Sequence, residues 1–120
     1  MFFDTNILID YLYGLPQARA EIQRAENPRI SIIVWLEVMV GVSDADEDTV
    51  RRFLSYFEVV SITPPVSELA VRIRRTKKLR LPDCIVLATA KEFGAVLVTR
   101  NTKDCDKSDR SIRVPYRLMK

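Results

Sequence analysis

The chain has 120 residues, enough for a single core, and one domain is expected over residues 1–120. Its 48% hydrophobic and 29% charged content excludes a disordered chain, and no apolar run nears the roughly eighteen residues of a membrane span, so no membrane partner and a cytoplasmic location are expected. A net charge of +3 is too mild to argue nucleic-acid binding by itself, while the lack of histidine excludes Ser-His-Asp, Cys-His and His-zinc chemistry and leaves carboxylates, Lys, Tyr and hydroxyls for any chemistry, which points first to a carboxylate enzyme.

The first stretch, Met1 to Leu12, reads as a short buried strand ending at Asp4, with Asp4-Thr5-Asn6 turning into a helix that carries Ile7, Leu8, Tyr11 and Leu12. A carboxylate at the end of a strand lies where open α/β sheets bind ligands. Taken alone, Asp4 is equally a helix cap. After Gly14, Pro16 opens a second helix, Gln17 to about Glu26, which Asn27-Pro28 ends. Arg29 to Val34 is apolar and β-branched on successive residues, as in a parallel strand covered on both faces, and it leads into a helix over Trp35 to Gly41. That places Glu37 near the first turn of this helix among Leu36, Val38, Met39 and Val40. Burying an unpaired acid in such company costs several kcal/mol or forces protonation, and a bound cation removes that cost.

Ser43-Asp-Ala-Asp-Glu-Asp48 reads as a capped helix start with acids in its first turn, and Phe53, Leu54 and Phe57 as that helix's apolar stripe. Val59 to Ile62 is a third strand. Pro64-Pro65 breaks the chain before a helix from Val66, which ends in a basic run, Arg72 to Arg80, of six cations in nine residues. Pro82 and Gly94 bracket a helix that is apolar all round over Ile85 to Ala90, and Asp83 lies in its first turn. Ala95 to Val98 is a buried strand that runs into the polar loop Thr99 to Asp106, and Ile112 to Val114 is a last edge strand. Alternating strands and helices give an α/β fold with a mostly parallel sheet of four to five strands covered by helices.

An acid or asparagine follows closely on three strand ends, at Asp4, at Glu37 and at Asn101/Asp104, and Asp83 opens the helix that feeds the last strand. Parallel strands present their carboxyl ends on one side, so these groups can converge. Unneutralised, such a cluster repels itself, and its oxygen-only character suits Mg²⁺ or Mn²⁺. An ion of this kind holds a scissile phosphate and activates water, the chemistry of phosphodiester hydrolysis.

Asp4-Thr-Asn, Glu37 within Val34-Trp-Leu-Glu-Val-Met-Val-Gly41, Leu81-Pro-Asp-Cys-Ile-Val-Leu-Ala-Thr-Ala90 and Val98-Thr-Arg-Asn-Thr-Lys-Asp104 together resemble the ordered acidic motifs of PIN-domain ribonucleases, most of all the small VapC-type toxins. The resemblance implies a three-layer PIN-like fold and catalytic, metal-binding roles for Asp4, Glu37 and Asp83. The fourth acidic function falls to Asp104 as a catalytic acid or to Asn101 as a neutral metal ligand, because many relatives have aspartate at the position of Asn101. It further implies a metal-dependent endoribonuclease with Mg²⁺ or Mn²⁺ as cofactor, an RNA substrate, a homodimer and a small antitoxin partner. Arg72, Arg75 and Lys78 are then candidates for holding RNA phosphates, and Arg100 and Lys103 for contacting the scissile region.

Two other readings compete. A phosphatase with Asp4 as nucleophile, as in haloacid-dehalogenase-type enzymes, requires a second aspartate where Asn6 stands, and a longer chain. A degenerate PIN domain that only binds RNA or a partner is the other, motivated by Asn101 in place of an acid.

Overall fold

The computed structural model describes residues 1–101 and 108–118, so Asp104 and Lys103, singled out above, lie outside the described residues. In chain order the elements are β1 (Phe2–Phe3), α1 (Thr5–Leu12), α2 (Pro16–Arg24), β2 (Arg29–Ser31), α3 (Ile32–Val40), a turn of 3-10 helix (Asp44–Asp46), α4 (Glu47–Leu54), β3 (Glu58–Val60), α5 (Pro64–Thr76), α6 (Leu81–Glu92), β4 (Leu97–Val98) and β5 (Ile112–Arg113).

The strands form one sheet in the order β3-β2-β1-β4-β5, and all four pairings are parallel. From β1 the chain builds outward to β2 and β3, then returns to place β4 on the other side of β1. That reversal makes the β1/β4 boundary the switch point of the sheet, where a crevice opens at the carboxyl ends of the strands. Fully parallel sheets are buried on both faces, and Phe2, Phe3, Ile30 and Val98 are accordingly 1% exposed or less. Among the described residues no helix is long and apolar enough to cross a membrane.

Several element boundaries depart from the sequence pattern: β3 covers Glu58–Val60 where Val59 to Ile62 was expected, β5 ends at Arg113, and two further shifts have local reasons. β2 stops at Ser31 rather than Val34, because the Ser31 hydroxyl accepts a hydrogen bond from the Ile33 amide and caps α3. Ile32, Ile33 and Val34 are therefore helical despite their β-branching, and Glu37 falls in the second turn of α3 instead of its first. Similarly, α5 begins at Pro64, not Val66, with Thr63 accepting from the Val66 amide. The two prolines occupy first-turn positions whose N–H groups have no helical acceptor in any case. The expected bracket around α6 is present: Pro82 lies in its first turn, and Gly94, at φ +61°, makes the left-handed turn out of it. Cys84, Val86, Leu87 and Ala88 of α6 are all buried, as its uniform apolarity requires.

The stretch from residue 108 onward is bound back by charge. Lys91 at the end of α6 meets Asp109 at 3.0 Å, and the Ser111 amide and hydroxyl both donate to the same carboxylate. Burial pushes Asp109 up, but the Ser111 and Lys91 contacts outweigh it and hold the group at about 2, against 3.8 ordinarily. A carboxyl depressed in the folded state stabilises in full above the unfolded value and loses that contribution as pH falls through the folded one. We expect Asp109→Asn to cost about 2 kcal/mol of unfolding free energy at neutral pH. That deficit should shrink between about pH 4 and 2, as read by urea denaturation at a series of pH values.

Candidate active site

Asp4 leaves β1 at the switch point. Its amide donates to the Val98 carbonyl of β4 at 2.9 Å, fixing it beside the end of that strand. One carboxylate oxygen, Oδ1, accepts from the Thr5 amide at 2.8 Å, so Asp4 does cap α1. Oδ2 has a different partner: the Thr99 hydroxyl, which donates to it at 2.9 Å. Capping and site-building are thus done by the two halves of one side chain.

Thr99 is 4% exposed and follows β4 directly. Its hydroxyl oxygen also accepts from the Asn6 side-chain amide and from the Asn101 backbone amide, each at 3.1 Å. With one donated and two accepted bonds it is saturated, and it links the start of α1 to the loop after β4. Glu37 reaches the same region from α3, where its Oε1 accepts from the Thr5 hydroxyl at 2.7 Å. Asp83, in the first turn of α6, lies 3.3 Å from the Arg80 guanidinium.

Burial is the main influence on Asp4 and raises its pKa above the ordinary carboxylate value; the Thr5 and Thr99 hydrogen bonds oppose this, while the charges of Asp83 and Glu37 add to it. The three acids read from the sequence are therefore near enough to act on one another, although they come from three separate elements. As they stand, no three acidic side chains among the described residues are grouped to hold a metal ion. Glu37 is engaged by Thr5 and Asp83 by Arg80. The donor chemistry nevertheless fits a hard divalent cation: oxygen only, with a desolvated carboxylate facing two more negative charges. An ion would compete with Thr5 for Glu37 and with Arg80 for Asp83.

The remaining sequence candidates are placed unequally. Asn101 is exposed, two residues past Thr99, with its amide on the Thr99 oxygen. Arg72 and Arg75 are exposed on α5, where they line a shallow depression of about 310 Å³ with Glu68 and Val71, and Lys78 is exposed just beyond the helix. Arg100 differs from the expectation of a scissile-region contact. Its Nε and Nη2 donate to Asp10 of α1 at 2.7 and 3.1 Å, so the guanidinium faces a buried carboxylate. Asp10, only 7% exposed, also accepts from the Tyr116 hydroxyl at 2.8 Å. Sequence reasoning missed Thr99, Asp10 and Tyr116. A hydroxyl immediately after a buried strand was the available signal for Thr99, whereas Tyr116 lies 106 positions from its partner and left no local trace.

A parallel sheet with hydrogen-bonded carboxylates and hydroxyls at the end of its central strand defines the class: an α/β domain whose candidate site is built from oxygen-bearing side chains. The chain belongs to the PIN-domain family, whose model matches residues 1–108. Comparison with curated proteins found no match. Among solved structures, the chain is similar to one in a toxin–antitoxin complex from Klebsiella pneumoniae, with 39% identity, 98% of each chain covered and a TM-score of 0.91. FitAcB from Neisseria gonorrhoeae matches at 20% identity over 98% of this chain and 99% of that one, TM-score 0.79. DNA-bound VapBC from Salmonella typhimurium matches at 23% identity over 93% and 95%, TM-score 0.80. At the identities of these last two the likeness is one of fold.

Proposed function

We propose that this chain is a Mg²⁺- or Mn²⁺-dependent endoribonuclease acting as the toxin of a type II toxin–antitoxin pair, in the cytoplasm, with a small antitoxin as partner and a second copy of itself as a homodimer. What supports the reading is the geometry at the end of β1, where Thr5 bonds both Asp4 and Glu37 and Thr99 holds the second oxygen of Asp4, with Asp4 raised by burial and, to a lesser extent, by Asp83 and Glu37. Membership of the PIN-domain family and the 39% identity to a chain of a toxin–antitoxin complex support it.

Asp4, Glu37 and Asp83 would hold the cation, with Asn101 or Asp104 completing the set. A divalent ion bound there supplies Lewis acidity to a phosphodiester and lowers the pKa of an attacking water. The chain's own contribution is placement. The Thr99 hydroxyl and Thr5 amide fix both oxygens of Asp4, and the Thr5 hydroxyl orients Glu37. Arg80, beside Asp83, and the exposed Arg72, Arg75 and Lys78 offer cations to RNA phosphates, a contribution that weakens as salt rises.

A second reading, a PIN domain that binds RNA or a partner without cutting it, draws on Asn101 and on the absence of a ready-made three-acid cage among the described residues. One experiment separates the two. Purified protein incubated with cellular RNA should generate internal cuts with Mg²⁺ or Mn²⁺, lose that activity in EDTA and regain it when the ion is restored. Intact RNA after incubation with well-folded protein and either ion would establish the non-cutting reading instead.

A further inference from the structure

The family match ends at residue 108, yet the acidic site is tied to a residue beyond it. Asn6 and Asp10 stand four positions apart on α1 and so share one face of it. That face grips Arg100 at two points: Asn6 Oδ1 accepts from the Arg100 backbone amide at 3.1 Å, and Asp10 takes the guanidinium through both oxygens. Arg100 adjoins Thr99, whose hydroxyl rests on Asp4. Tyr116 completes the arrangement by donating to the Asp10 oxygen that also receives Arg100 Nε. From Tyr116 to Asp4 every link is a hydrogen bond or a peptide bond.

We propose that Asp10, Arg100 and Tyr116 are positioning residues for the acidic site, setting the Thr99 hydroxyl and the Asn101 main chain against Asp4 so that this carboxylate is presented to the cation. The inference rests on the metal-dependent reading of the site given above. None of the three touches the reacting atoms; they act through Thr99 and Asn6. Arg100 is therefore a residue of the site's frame, not a contact for RNA. The same stretch also carries a side-chain link from Arg113 to Glu21 of α2 at 2.9 Å; the Arg113 carbonyl accepts from the Thr99 amide, but its side chain bonds no member of the relay, so a side-chain substitution there serves as the control.

The test compares Tyr116→Phe, Arg100→Gln and Arg113→Gln with wild type in melting temperature, Mn²⁺ affinity by calorimetry, and kcat and KM on RNA. Groups that orient metal ligands through an intermediary change affinity or turnover by about 10- to 100-fold when altered. Tyr116→Phe, which keeps its ring, should weaken Mn²⁺ binding and lower kcat by about tenfold with KM unchanged, and Arg100→Gln should do so by more. Arg113→Gln should lower the melting temperature while Mn²⁺ affinity and kcat stay at wild-type values. The proposal is overturned if Tyr116→Phe binds Mn²⁺ and turns over as wild type does, or if Arg113→Gln loses both by the same factor. A wild type that binds Mn²⁺ but cuts no RNA sinks the ribonuclease reading alone, because Mn²⁺ affinity still decides the positioning role. A wild type that binds no Mn²⁺ overturns both.

Discussion

Asp4→Asn and Asp83→Asn are each expected to lower RNA cleavage by about a thousandfold or more, because on the proposed reading each removes an anionic oxygen that would hold the cation offsetting the charge of the reaction. The effect on stability should have the opposite sign for Asp4. A carboxylate whose pKa is raised by folding is held at a cost above its unfolded value, since the folded state disfavours the charge that neutral pH imposes. Asparagine keeps an acceptor for Thr5 or Thr99 and removes the repulsion with Glu37 and Asp83. Without divalent ions, Asp4→Asn should therefore melt at or above the wild-type temperature while being inactive. A variant that is both inactive and markedly less stable would mean that Asp4 is chiefly a structural cap. A fully active one would remove the carboxylate mechanism altogether.

The largest loss of stability is expected at Asp10. Its carboxylate is buried and neutralises Arg100, whose side chain is only 30% exposed, while accepting from Tyr116. That neighbourhood shows in the partners: the hydrogen bond to Asp10 raises Arg100 above its ordinary value, and burial together with the same carboxylate pushes the Tyr116 phenol up. Truncating one member of such a set leaves a guanidinium and a hydroxyl without their acceptor. We expect Asp10→Ala to cost about 3 kcal/mol, with the melting temperature falling by about 10 °C. Thermal and urea unfolding of the metal-free protein measure this directly. A change within about 0.5 kcal/mol would place Asp10 with ordinary surface positions.

How much of this was legible beforehand divides by the range of the interaction. Strand ends, glycines and prolines are local signals, and they sufficed to place β1, α6 and β4 and to put Asp4 at the end of the central strand. The β2/α3 boundary was misplaced because β-branched residues favour strands, while a single serine hydroxyl at Ser31 decided for the helix. The pairing of Arg100 with Asp10 was not legible for a related reason. An arginine in a polar loop after a strand looks available to a ligand, and only the fold shows that a helix from the opposite end of the sequence has already claimed it. Thr99 went unread because two of its three bonds reach Asn6 and Asp4, which lie 93 and 95 positions away in the sequence.

The pairing of β1 has a consequence for how the protein is made. Phe2 lies opposite Arg29 on one side and Leu97 on the other. The central strand thus waits, half-edged, until most of the polypeptide has been synthesised, and contacts so distant in sequence are slow to form. Asp4 acquires Thr99 only at that late stage, so a nascent or truncated chain carries no assembled pocket. A catalyst of the kind proposed would therefore gain its assembled site only late in folding.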